Sequence, residues 1–269
     1  MSFGSGAMTN SISEIKDCKL IFLIGGNPTE AHPIVALEMK KALRKGCTFI
    51  VADPRRIWFA QHAKLYLPVR PGSDNWLLNA MAHVIIAEGL ENKEFIKTRT
   101  ESYEELKEFL KDITPEKASE FTGIPAEDIR QAARLYAKSE KSAIYYTLGI
   151  TEHTCGTDNV RTIANLALLT GHIGKPSTGV NPIRGQNNVQ GATDVCIPNK
   201  MPGYQDVTDN VVMEKFEKAW GVKLSRTPGA TAPTMFERMG KNQFKALYVI
   251  GEDPVISEPN QDYTLKGMK

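Results

Sequence analysis

The chain has 269 residues, 41% of them apolar and 24% charged, with a net charge of +2. That is room for one large domain or two smaller ones, and it excludes a global field that would draw in nucleic acid or an anionic surface. No run is long and apolar enough to span a bilayer, so neither a membrane segment nor a nucleic-acid partner is expected.

Leu20–Ile24 is short, continuous and apolar, bounded by Gly25-Gly26, and reads as a buried strand. Val35, Met39, Ala42 and Leu43 then share one helical face, and Gly46 ends that helix. The basic cluster Lys40, Lys41, Arg44 and Lys45 suits the negative helix end. Thr48–Val51 is a second strand, so the two strands with their helix form a βαβ unit of a parallel sheet. The turn Gly25-Gly26-Asn27-Pro28 stands where such a sheet binds ligands, yet no G-x-G-x-x-G dinucleotide fingerprint is present. A plain βα turn uses the same residues.

Leu65–Val69 is a weaker third strand, followed by a helix carrying Leu77, Met81, Val84 and Ile85 with Ser73 or Asp74 as N-cap. Residues 91–140 read as several short helices, the clearest carrying Ile129, Ala132, Ala133 and Tyr136. Ala143–Leu148 is a further strand ending at Gly149, and Val160, Ala164, Ala167 and Leu168 mark a helix that Gly171 stops. Residues 173–210 lose all periodicity and read as a long functional loop or a domain crossing. A helix returns at Val211–Trp220. The stretch ALYVIGEDP, from Ala246 to Pro254, then repeats the pattern of LIFLIGGNP, which predicts a strand and turn of a second module.

Several residues have chemistry suited to a ligand. Asp53 can accept from a ribose diol or a purine edge, and Arg55 can meet a phosphate or a base; an N-cap and a surface ion pair are the alternatives. The two oxygens of Asp74 can take the N1 and N2 protons of guanine together, an edge that adenine lacks; alternatively Asp74 is an N-cap. Arg184, set among Asn181, Gln186, Asn187, Asn188 and Gln190, can hold a small carboxylate bidentately, or is a solvated loop arginine. His32 follows the first turn, His153 and Cys155 follow a strand end, and His83 lies within a helix. Cys18, Cys47, Cys155 and Cys196 form no C-x-x-C and have no metal-ligand spacing, so free thiols and no metal ligand in this chain are expected. Trp58, Trp76 and Trp220 do not interleave with basic residues.

Taken in order, GGNPTEAHP, ADPR, RPGSD, TGHIGKPSTGVNPIRGQNNVQGATD and GEDP resemble the catalytic (alpha) subunit of formate dehydrogenases in the molybdopterin oxidoreductase family. The resemblance implies a Rossmann-like αβα parallel-sheet domain over 1–186 and an incomplete second αβα module over 187–269. It implies formate oxidation to carbon dioxide at a molybdenum or tungsten centre held by two molybdopterin guanine dinucleotides. By position, Gly26, Asn27, His32, Asp53, Arg55 and Asp74 fall to one dinucleotide, Gly149 and Gln186 to the pterin, and Glu252 and Asp253 to the second dinucleotide. Arg184 falls to the arginine that orients formate. The family's metal-ligating selenocysteine or cysteine and its 4Fe-4S cysteines would precede Met1. The chain is therefore expected to be an internal stretch, inactive alone and carrying no cluster, with the cofactor belonging to the full-length parent. The rest of the alpha subunit and an electron-transfer subunit are the implied partners, and the cytoplasm the expected location. A stand-alone guanine or pterin dinucleotide-binding module, or another molybdopterin oxidoreductase, are the alternatives.

Overall fold

The computed structural model describes residues 3 and 6–268, with the side chains of residues 193–196 left aside. It divides into two compact units, Met1–Gln186 and Asn187–Lys269.

The first unit is built on five parallel strands: β1 (Leu20–Ile24), β2 (Thr48–Ala52), β3 (Leu65–Leu67), β4 (Ser142–Tyr146) and β5 (Gly179–Pro182), in the order β3-β2-β1-β4-β5. β1 lies at the centre, with Ile24 opposite Ala52 on one side and Tyr146 on the other. All five of its residues are buried because helices cover both faces, which is why this strand reads as an unbroken apolar run. Alternation still sorts them. Leu20, Phe22 and Ile24 enter one core, while Ile21 and Leu23 enter the other.

Nine helices connect the strands, counted among the described residues. They are α1 (Pro28–Ala31), α2 (Pro33–Arg44), α3 (Asp74–Ala87), α4 (Lys93–Arg99), α5 (Tyr103–Leu110), α6 (Pro115–Thr122), α7 (Ala126–Lys138), α8 (Leu148–Thr151) and α9 (Gly156–Thr170). Helix α2 contributes Val35, Ala36, Met39 and Ala42 to the Ile21 core, beside the 3₁₀ turns Ile12–Asp17 and Trp58–His62. Helices α3, α6, α7 and α9 close the other face. Each Leu, Ile or Phe so buried contributes about 1.5–3 kcal/mol relative to exposure.

The sequence order reverses between β1 and β4: the chain moves from β1 outward to β2 and β3, then returns to β4 and β5. In an open parallel sheet the turns leaving two such strands diverge and leave a crevice. Here those turns are Gly25–Asn27 after β1 and Thr147–Gly149 after β4.

In the second unit, α10 (Val189–Cys196), a short antiparallel pair β6 (Lys200–Met201) and β7 (Gln205–Asp206), α11 (Asn210–Trp220), α12 (Ala232–Gly240), α13 (Pro254–Ser257) and α14 (Gln261–Met268) follow one another. Two expectations are corrected. The predicted long loop over 173–210 contains β5, α10 and the β6–β7 pair. And the strand predicted at 246–250 does not form: those residues take no regular structure, with Tyr248 88% and Ile250 78% exposed. A strand needs an edge to pair with, and no described strand offers one there.

The turn after that segment nonetheless repeats the first. Gly25 and Gly251 both take positive φ, +58° and +68°. Asn27 and Asp253 adopt φ −118°, ψ 86° and φ −117°, ψ 97°, and each precedes a proline that opens a one-turn helix. The repeat in sequence is thus a repeat in backbone conformation.

Candidate functional site: a crevice at the strand-order switch

Gly25 and Gly149 stand back to back. The Gly149 amide donates to the Gly25 carbonyl at 3.1 Å, and Thr147 Oγ1 donates to the same oxygen at 2.7 Å. A Cβ on Gly149 would lie 2.7 Å from both Cα and O of Gly25, and one on Gly26 would lie 2.8 Å from Thr147 Cγ2. Glycine is therefore required by close approach as well as by the positive φ of Gly25.

These turns form one wall of a cavity of about 310 Å³ lined by Gly25, Gly26, Asn27, Asp53, Pro54, Arg55, Ile57, Val69, Pro71, Asp74, Gly149 and His153. The volume is at the lower end of the range of about 300–1,000 Å³ for small-molecule sites. Six expected site residues meet here: Gly26, Asn27, Asp53, Arg55, Asp74 and Gly149.

Asp53 follows β2, is 8% exposed, and accepts from the Arg55 amide at 2.8 Å. Burial pushes its carboxyl pKa up, against the pull of that amide and of the Arg55 charge. Arg55 itself reaches out to Glu30 at 3.2 Å, an exposed pair of little worth to stability. Asp74 is the first residue of α3 and 3% exposed. Ser73 takes the N-cap position, although its hydroxyl donates to the Arg70 carbonyl at 2.7 Å instead of capping α3. The N-cap reading of Asp74 is thereby corrected. Its carboxyl pKa is also raised, chiefly by burial.

The sequence places His153 only after a strand end, and it offers no sign of a site role for Ile57, Val69 and Pro71. Apolar residues at strand ends look alike in sequence whether they face a core or a ligand. Cys155 is not among the lining residues; its thiol meets Asn159 Oδ1 at 3.7 Å.

The remaining expected residues lie elsewhere. His32 does not line the cavity; its Nε2 meets the Arg184 carbonyl at 2.9 Å. Arg184 follows β5, is exposed, and donates from Nη2 to the Gly6 carbonyl at 3.2 Å. It sits near Tyr146 at the end of β4, whose phenol pKa burial raises and the Arg184 charge draws back. Gln186 is exposed at the end of the first unit. Glu252 and Asp253 belong to the second unit, where Glu252 accepts from Ser257 Oγ at 2.8 Å and Asp253 accepts from the Val255 amide at 3.1 Å.

Cys18 and Cys47 are free and buried, and burial holds both thiol pKa values up at about 12. Cys196 lies outside the described side chains. Among the described residues, no group of three or more His, Cys, Asp and Glu is disposed to hold a metal ion, and no helix is long and apolar enough to cross a membrane.

A parallel sheet with glycine-walled turns at its order switch, and buried carboxylates in the crevice between them, is an open α/β architecture with its cavity where such sheets bind ligands. The chain belongs to the molybdopterin oxidoreductase family, which it matches over residues 2–269.

It is 47% identical over 268 residues to the F420-dependent formate dehydrogenase subunit alpha of Methanocaldococcus jannaschii, covering 99% of this chain and 39% of that protein. It is 46% identical over 259 residues to formate dehydrogenase H of Escherichia coli, covering 96% of this chain and 36% of that one. Among solved structures, acetylene hydratase from Pelobacter acetylenicus superposes with a TM-score of 0.71 at 23% identity, over 96% of this chain and 40% of that chain, a likeness of fold. The chain thus spans roughly two fifths of the length of its curated relatives.

Proposed function

We propose that the crevice holds the guanosine end of a molybdopterin guanine dinucleotide, and that the whole protein oxidises formate to carbon dioxide. The observation that carries this reading is Asp74, a nearly fully buried carboxylate in a cavity walled by the close-packed Gly25 and Gly149 turns. A buried carboxylate is favoured by donors beyond its own backbone amide, and the N1–H and N2–H edge of guanine offers two.

The residues suit the cofactor that the family implies. Gly25, Gly26 and Gly149 let the two turns close into one main-chain wall, Asn27 and Asp53 offer oxygens to a ribose, and Arg55 can leave Glu30 for a phosphate. When bound, the pterin-held metal supplies the two-electron chemistry, and the protein supplies binding, orientation and electrostatics. Formate gives up two electrons and a proton. Arg184 would hold its carboxylate bidentately, with Gln186 beside the pterin.

The repeated backbone turn at Glu252 and Asp253 supports a role for residues 187–269 as part of a second αβα module that grips the second dinucleotide. An iron–sulfur cluster and an electron-transfer subunit would take the electrons on, outside this chain. Alone, the chain should not oxidise formate.

Calorimetry with GDP and ADP tests the crevice. The chain should prefer GDP, and Asp74→Asn should remove the preference; equal binding of the two nucleotides by the unsubstituted chain would refute the reading. In the complete subunit, Arg184→Lys should raise KM for formate or lower kcat sharply.

A further inference from the structure

His153 lines the crevice beside Gly149, yet the guanosine reading assigns it nothing. Its Nε2 meets the Gly149 carbonyl at 2.9 Å and lies 3.7 Å from Oδ2 of Asp74. One ring nitrogen therefore bridges the turn after β4 and the carboxylate at the start of α3. The titratable and charged side chains that share the cavity with Asp74 are His153 from the segment after α8 and, from the segment after β2, Asp53 and Arg55.

Burial pushes the Asp74 carboxyl toward its protonated form. Its own backbone amide and His153 oppose that, and Asp53 adds to it. The protonation state decides what the group can read. An ionised carboxylate accepts on both oxygens, whereas a protonated one carries a hydrogen on one of them and cannot take N1–H and N2–H together. His153 is the side chain in ion-pair range of that carboxylate that can carry positive charge.

We propose that His153 is a positioning residue for Asp74: it holds the carboxylate in its two-oxygen acceptor form and thereby sets the preference of the crevice for guanine over purines that lack the 2-amino group. The inference rests on the guanosine reading above, and deepens it by naming the group that controls the reader.

The test is calorimetry on the 269-residue chain with GDP and IDP between pH 5 and 8, using His153→Ala, His153→Gln and Asp74→Asn. IDP keeps N1–H and lacks the 2-amino group. The unsubstituted chain should bind GDP about tenfold more tightly at pH 7.5, the worth of one charge-assisted hydrogen bond, and lose that preference as pH falls. Asp74→Asn should bring the ratio near one. His153→Ala should move the loss of preference to higher pH. His153→Gln keeps a donor for the Gly149 carbonyl but no charge, so it should fold normally and follow the alanine variant.

If the unsubstituted chain prefers GDP and Asp74→Asn does not, while both His153 variants keep the original pH profile, the role of His153 is overturned and the guanosine reading stands. An original profile in His153→Gln alone also overturns it, since the charge would then be irrelevant. No GDP preference in the unsubstituted chain removes both readings.

Discussion

The imidazole of His32 holds the backbone carbonyl of Arg184 at 2.9 Å, joining the end of α1 to the segment that leaves β5. The other ring nitrogen, Nδ1, is buried without a partner, so this one contact decides how the ring is used. His32 therefore ties down the segment after β5 through Arg184's backbone. Removing a neutral hydrogen bond costs about 1 kcal/mol, a factor of about five in local opening. His32→Ala should speed amide exchange at Ile183, whose N–H donates to the Tyr146 carbonyl at 2.9 Å, about fivefold. Unchanged exchange there would show that the contact does not hold the segment.

The contact between Gly149 and Gly25 yields a stability prediction. An added Cβ would press on main-chain atoms at 2.7 Å, which cannot swing aside as a side chain can. Overpacking of this kind costs about 1–3 kcal/mol. Gly149→Ala should lower the urea midpoint of the chain accordingly and reduce GDP affinity. A wild-type midpoint would mean that the two turns separate freely.

His172 predicts the acid limb of stability. It is 4% exposed, its Nε2 meets the Tyr136 carbonyl at 3.2 Å, and burial depresses its pKa to about 4 from an ordinary value of 6.5. Between those two values the unfolded chain binds the extra proton and the folded one does not. Stability contributed by neutral His172 is therefore complete above about pH 6.5 and falls as pH drops toward 4. The full loss is about 3 kcal/mol. His172→Gln, which has no proton to gain, should flatten urea midpoints across that window; an unchanged slope would assign it to other groups.

The segment ending in Tyr248 and Ile250 should be thermodynamically silent in this chain. Both side chains are exposed, so Tyr248→Ser and Ile250→Lys should each change stability by no more than about 0.5 kcal/mol. Light scattering should nonetheless fall, because an apolar run that can adopt extended form invites association. A large stability loss on either substitution would mean that the segment packs against its own chain.

The contrast between Leu20–Ile24 and 246–250 shows what a sequence discloses. Both runs are apolar and glycine-tipped, yet only the first has neighbours on two sides to complete its hydrogen bonds. Composition records the preference for a strand, and pairing decides it. β5 was hidden for the converse reason: Gly179-Val180-Asn181-Pro182 lacks strand composition and is held by its register against Ala143–Tyr146. In the crevice, glycines and carboxylates were legible because few residue types serve a close approach or a paired acceptor. Ile57, Val69 and Pro71 were not: Ile57 and Val69 belong to the two cores as well as to the cavity wall, and lining a cavity asks the same of an apolar side chain as filling a core. The sequence places His153 after a strand end, but only the fold brings it to Asp74.

The back-to-back glycines also bear on how such a site can change over time. One wall is main chain locked to main chain, so drift in side chains cannot remould it. Any change in what the crevice holds would have to come from its side chains, at Asp53, Asp74 or His153. Variation in ligand choice should therefore concentrate at those three positions, while the glycine bank remains the same from one descendant to the next.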